Sequence, residues 1–145
     1  MRVTQTSSVT RFRMQPETPP VETTGTATIT SILGGRFVSE ENTGSMMNHP
    51  QSGLRIYGYN NGTETYEGVW VYSLSTAIMT LVGSSDDDGK TIEFTAKFDE
   101  TTGRLQNLYV VLREIDANQF VVELRTRPRK EICGSVLETT YIRAE

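Results

Sequence analysis

Short runs of alternating apolar and polar residues, separated by turn-forming residues, recur along most of the chain. The clearest run is Thr91–Asp99, in which Ile92, Phe94, Ala96 and Phe98 occupy every second position. A period of two places successive side chains on opposite faces of a strand, so Phe94 and Phe98 are expected in the core. The recurrence predicts about ten strands and no helix of useful length, which is an all-β fold.

Successive runs are joined by short, turn-forming links. Asn60–Thr63 and Ser84–Lys90 each lead from one run into the next. Strands that follow one another through tight turns form a meander, and closing a meander into a barrel removes its exposed edges. We therefore expect a single antiparallel up-and-down β-barrel over residues 1–145, with residues 1–8 disordered or loosely attached at the N-terminus. The segment Gly44–Gly53 is expected to be a loop or an irregular strand end.

Composition narrows the classes of function. The 145 residues carry a net charge of −4, whereas nucleic-acid-binding and anionic-membrane surfaces need concentrated positive charge. A single cysteine and a single histidine do not form a zinc or haem ligand set, so no metal or cofactor is expected. No apolar stretch is long enough for a membrane-spanning helix, and the sequence predicts a soluble, cytoplasmic protein.

Few side chains favour catalysis. His49 lies in a polar segment without a partner that would position it as a base. Cys133 is predicted to be a buried structural thiol. Asp86–Gly89 resembles the start of a calcium loop but lacks its twelve-residue spacing, which favours a hairpin turn. Arg125–Lys130 is a basic cluster, either a solvated edge of the barrel or an anion site near its mouth. The sequence therefore does not favour an enzyme.

Several short motifs in a fixed order resemble one protein family. They are Gly25–Thr28 with Ile32–Val38, Gly58–Asn61 with Tyr66–Trp70, Ser75–Thr76 leading to Met79 and Gly83, and Glu138–Tyr141. In this order they resemble the DUF1579 family of uncharacterised bacterial proteins, from about Phe12 to Tyr141. The resemblance implies a calycin-like, lipocalin-type barrel and no known activity. The chain departs from the family pattern at Val3–Val9, which lacks the usual opening helix and tryptophan.

Aromatic residues are concentrated on one face of two neighbouring predicted strands. Tyr57 lies on the first strand, and Trp70 and Tyr72 share one face of the second. Because large aromatic side chains favour burial, we expect this face to point into the barrel, where phenol and indole groups could contact a ligand. The outward orientation would instead give a packing or dimer surface.

The leading functional prediction is a non-enzymatic binding module that holds a small, largely apolar or amphipathic ligand inside the barrel. Arg113 lies on an otherwise apolar strand, where a charged side chain is costly to bury without a partner. It is therefore predicted to anchor a polar head group. Tyr57, Trp70, Tyr72 and Met79 are predicted to contact the apolar body of the ligand.

Two alternatives stay open from the sequence. Arg113 could point to water or pair with a strand neighbour such as Glu123. The barrel could also be filled by its own side chains, in which case the protein would be structural, or would act through its surface as a homodimer or with a protein partner.

Overall fold

The structure is a computed structural model that describes residues 3–12, 19, 21–46, 48–99, 105–125 and 135–144. Ten antiparallel strands form a closed barrel in which each strand pairs with its neighbours in sequence and the first pairs with the last. The predicted all-β, up-and-down barrel of about ten strands is confirmed. The strands are β1 (Val3–Phe12), β2 (Val21–Ile32), β3 (Phe37–Met46), β4 (His49–Asn60), β5 (Thr65–Tyr72), β6 (Met79–Ser84), β7 (Thr91–Asp99), β8 (Leu105–Asp116), β9 (Gln119–Arg125) and β10 (Ser135–Arg143).

Strand alternation decides which side chains fill the barrel. On β7, Ile92, Phe94 and Ala96 are buried inside, whereas Glu93 between them is exposed. The predicted core position of Phe94 is therefore confirmed, with 3% of the residue exposed. The side chain of Phe98 lies outside the described residues.

At one end of the barrel, aromatic rings fill the side formed by β4–β7, and we call this the packed end. The opposite side of this end, around Thr4, Ile29 and Arg143, is more open. Tyr57 on β4 meets Phe94 on β7 edge to face, with ring centroids 6.5 Å apart. Two glycines on intervening strands make room for these rings, because Gly68 pairs with Tyr57 and Gly83 pairs with Phe94. A Cβ atom at Gly83 would lie 2.3 Å from a backbone carbonyl oxygen. The aromatic packing at this end therefore requires glycine at positions 68 and 83, next to the large rings of Tyr57 and Phe94.

The N-terminal segment differs from its prediction. The structure places residues 3–8 in β1, which pairs with β2 from Val3 onward and with β10 from Thr6 onward. The inward-facing Thr6 and Ser8 are 5% and 9% exposed. Because these inward side chains are small and polar, β1 shows no alternation of apolar and polar residues. The sequence pattern therefore did not indicate this strand, which closes the barrel.

Of the two possibilities left open for Gly44–Gly53, a loop or an irregular strand end, the structure shows the strand end. β3 continues to Met46 and β4 begins at His49, with Ser45 paired to Pro50. Asn48 has a φ of 66°, a conformation that asparagine tolerates better than most residues. A proline fits in β4 because the pairing with β5 ends at Gly53, so the missing N–H at position 50 faces no partner on that side.

Among the described residues, the structure contains no helix long and apolar enough to cross a membrane.

Candidate functional site

A cavity of about 400 Å³ occupies the barrel at the end opposite the packed end. Its described lining comes from the strand ends that meet the links β1–β2, β3–β4, β5–β6, β7–β8 and β9–β10. We call this the cavity end. Its volume lies toward the low side of the range of about 300–1,000 Å³ that is usual for small-molecule sites.

One wall of the cavity is apolar. It is formed by side chains from β5, β6, β8 and β9, namely Trp70, Tyr72, Met79, Leu108, Val122 and Leu124. The Trp70 and Tyr72 rings lie 5.6 Å apart at a tilted angle, and Met79 pairs with Trp70 across the β5–β6 ladder. This wall offers a continuous surface for an apolar molecule.

The facing wall carries small polar side chains from β10, β1, β2 and β3. Its members include Ser8, Thr10, Thr23, Asn42 and Thr139. Thr10 and Thr139 share a hydrogen bond of 2.9 Å. Within the described part of the chain, the side chains of Ser8 and Asn42 make no hydrogen bond, which leaves them available to a ligand.

The floor of the cavity holds a buried ion pair. Arg55 on β4 donates from Nε to the carboxylate of Glu40 on β3 and from Nη2 to the hydroxyl of Tyr141, 3.1 Å away. Arg55 is 3% exposed and Glu40 1%. The two strands place them directly opposite each other in the register of the barrel. Arg55 is the one charged side chain among the described lining residues.

The surroundings of Arg55 hold it in its charged form. Burial alone would lower the pKa of its guanidinium, but the Glu40 carboxylate, with smaller contributions from Tyr141 and Tyr57, raises that pKa above its ordinary value. The guanidinium also lies over the Trp70 ring, 5.3 Å from its centroid, which is within the range of a cation–π interaction. Arg55 is thus a fixed, permanently charged donor.

The same burial acts on the two tyrosines beside the ion pair. It raises the pKa of Tyr57 to about 12, with a further rise from the nearby Glu40 carboxylate. Burial likewise raises the pKa of the Tyr141 phenol, although Arg55 opposes the shift. Both phenols are therefore neutral hydrogen-bonding groups at physiological pH.

The structure brings three of the five predicted site residues to the cavity. Trp70, Tyr72 and Met79 line it, so the inward orientation expected for the Trp70 strand is confirmed. Tyr57 also faces inward, but it packs against Phe94 in the packed end and is not part of the described lining.

The predicted position of Arg113 needs correction. Arg113 lies on the outer face of β8, where it donates to Glu123 at 2.8 Å, and Glu123 also accepts from Arg125 at 3.2 Å. The alternation of β8 explains this position, because the inward residues on either side of Arg113 are Leu112 and Glu114. A side chain outside the barrel cannot anchor a ligand inside it.

The remaining candidates give no site. His49 is exposed at the start of β4. The Asp86–Gly89 segment is a turn in which the carboxylate of Asp87 accepts from the backbone N–H of Thr91 at 2.7 Å. The described residues hold no cluster of three or more His, Cys, Asp or Glu side chains suited to a metal ion. Cys133 and the part of the basic cluster beyond Arg125 lie outside the described residues.

Comparison with known proteins identifies the family. Residues 6–143 match the family described as "Protein of unknown function (DUF1579)". The chain belongs to this family. The DUF1579 match covers nearly the whole barrel, including every strand that lines the cavity. No curated protein matches the chain.

Arg55 and Glu40 are the site residues that the sequence reasoning missed. Arg55 lies two residues from Tyr57 and therefore on the same face of β4, so the inward assignment of Tyr57 places Arg55 inside as well. A buried arginine requires a partner, and this requirement, which suggested Arg113, holds at Arg55. The identity of its partner depends on the β3–β4 register, which the sequence pattern does not give.

Proposed function

We propose that this DUF1579 protein is a non-enzymatic binding protein that holds a small, largely apolar ligand inside the cavity end of the barrel. The observation that carries the proposal is the cavity of about 400 Å³, which has an apolar wall around Trp70 and a hydroxyl-rich wall facing it. Barrels of this kind combine a rigid frame with an interior that can hold one small molecule.

The site also fits a ligand with one polar end. The apolar wall would take the hydrocarbon part, and the floor offers the guanidinium of Arg55. Nε and Nη2 of Arg55 are used by Glu40 and Tyr141, while Nη1 donates to no described residue. A polar atom of the ligand could accept this hydrogen bond.

A structural or interaction protein with a filled barrel is less well supported, because the described residues line a cavity of about 400 Å³. Homodimer formation and a cytoplasmic location stay predictions.

Binding can be tested through Trp70, which is the only tryptophan in the chain and lines the cavity. We expect the neutral apolar dye N-phenyl-1-naphthylamine to quench Trp70 emission saturably, with one dye bound per chain. A Trp70 signal that stays unchanged, together with no binding by calorimetry, would contradict the proposal.

A matched pair of variants locates the dye. Thr23 and Thr26 lie on β2, but Thr23 lines the cavity and Thr26 is exposed on the outer face. Thr23→Phe should fill part of the cavity and weaken dye binding by about tenfold or more, whereas Thr26→Phe should leave it near the wild-type value. Equal affinities in the two variants would place the dye elsewhere.

A further inference from the structure

The charges at the floor of the cavity restrict which polar groups a ligand can carry. Arg55 is the one charged side chain among the described residues that face the cavity, and Glu40 lies behind it with its carboxylate on Nε and Nη2 of the guanidinium. The formal charges of the two side chains cancel. A ligand that reaches Arg55 therefore meets a donor whose charge is already neutralised.

The Glu40 carboxylate is itself incompletely satisfied. Its Oε1 atom is buried and has no hydrogen-bond partner among the described residues. A ligand carboxylate at Arg55 would place a second negative charge close to this one in a region shielded from water. Two buried carboxylates that share one guanidinium are unfavourable, because desolvation and mutual repulsion exceed what a single cation can offset.

An uncharged oxygen atom avoids this cost. A hydroxyl or carbonyl group can accept from Nη1 of Arg55 without adding charge. It can also exchange hydrogen bonds with Ser8 or Asn42, whose side chains face the cavity without a described partner. Among the described residues, the lining around Arg55 thus offers several neutral polar groups and no cation besides Arg55 itself.

We infer that the cavity selects an uncharged, hydroxyl- or carbonyl-bearing apolar ligand over a carboxylate of the same skeleton, and that Glu40 is the residue that sets this preference. The inference rests on the proposed binding function and narrows its ligand class. Glu40 acts through Arg55 and does not line the cavity, so it is a specificity-determining residue without ligand contact.

The test compares two probes with the same alkyl chain, 1-decanol and decanoate, as competitors of N-phenyl-1-naphthylamine at pH 8. Wild-type protein should bind 1-decanol at least about tenfold more tightly than decanoate. Glu40→Gln leaves Arg55 with an unopposed positive charge, so decanoate should gain at least about tenfold in affinity while 1-decanol changes little. Glu41→Gln is the matched control, because Glu41 is the next residue on β3 and is exposed on the outer face; it should behave as wild type.

The outcomes separate this inference from the proposed function. Wild-type protein that binds decanoate as tightly as 1-decanol, or more tightly, overturns the inference and leaves the binding function standing. Binding of the dye with no competition from either alkyl probe also overturns the inference. Absence of binding by the dye and by both alkyl probes overturns the proposed function itself. Because Glu40→Gln breaks a buried ion pair and could fail to fold, the wild-type preference is decisive without it.

Discussion

The packed end and the cavity end are formed by the same ten strands with the same inward–outward alternation, yet aromatic rings fill the β4–β7 side of the first, whereas the second encloses a cavity of about 400 Å³. At the packed end, inward positions on β4, β5 and β7 carry Tyr57, Tyr66 and Phe94. At the cavity end, the described lining residues on β1 and β2 are no larger than threonine, for example Ser8 and Thr23. Alternation therefore decides which side chains enter the barrel, and their volumes decide where space is left.

The Arg55–Glu40 ion pair lies between the two ends, and Arg55 contacts residues on both sides. Tyr141, which accepts from Arg55, also stacks on Phe120 with ring centroids 4.6 Å apart. The same guanidinium contacts Trp70 on the cavity side. A buried charge pair at this position separates an apolar core from a partly polar cavity, so substitutions on the two sides of this boundary should differ in cost.

The largest expected effect is at the packed end. Phe94→Ala removes a ring that is 3% exposed and should lower the free energy of unfolding by about 3–5 kcal/mol, through lost burial and the space left behind. Leu74→Ala is the comparison at the cavity end, because Leu74 lines the mouth and is 51% exposed. Its cost should be within about 0.5 kcal/mol. Urea unfolding measures both, and equal losses would show that the two ends do not differ in packing.

The boundary should show a slightly smaller effect. Arg55→Met leaves the Glu40 carboxylate buried without its cation and should lower the free energy of unfolding by about 3 kcal/mol. The double variant, Arg55→Met with Glu40→Leu, removes both charges and should recover most of that loss. A double variant as unstable as the single one would show that packing volume, and not the unpaired charge, causes the loss.

The fold could be predicted from the sequence because its signals are local. Alternation in Thr91–Asp99 and turn residues such as Asn60–Thr63 each depend on a few neighbouring positions. Where these local signals were weak, the prediction was wrong or left alternatives open. Val3–Ser8 carries polar and hydroxyl residues at inward positions and was not predicted as a strand. Near Pro50, where β4 has only one paired side, the sequence left a loop and a strand end open.

The candidate site was only partly predictable because it depends on which strands are neighbours and in what register. Trp70 and Met79 could be placed on one wall, since they come from consecutive strands joined by a short link. Arg113 was misassigned because its apolar neighbours suggested burial inside the barrel, whereas Glu123 on the adjacent strand gives it a partner outside. The cavity itself depends on side-chain volumes contributed by nine strands, which no local pattern reports.

The smallest expected effect concerns alkaline pH and compares two tyrosines on β4. Burial raises the pKa of Tyr57 from 10.0 to about 12. Below pH 10 the phenol is protonated in the folded and the unfolded chain, so it adds no pH dependence. Between pH 10 and 12 the unfolded chain loses this proton first, which favours unfolding and lowers stability. Tyr57→Phe should therefore lose less stability than wild type over this interval, by roughly 2 kcal/mol.

Tyr59→Phe is the matched control, because Tyr59 lies two residues further along β4 and is 49% exposed. Its stability should fall over the same interval about as steeply as that of wild type. Tyr141 is present in all three proteins and, with a pKa also raised by burial, contributes equally to each. Urea unfolding at intervals of pH measures the slopes. Parallel curves for wild type and Tyr57→Phe would mean that water reaches the Tyr57 phenol, and the packed end would then be less tightly filled than its aromatic contacts indicate.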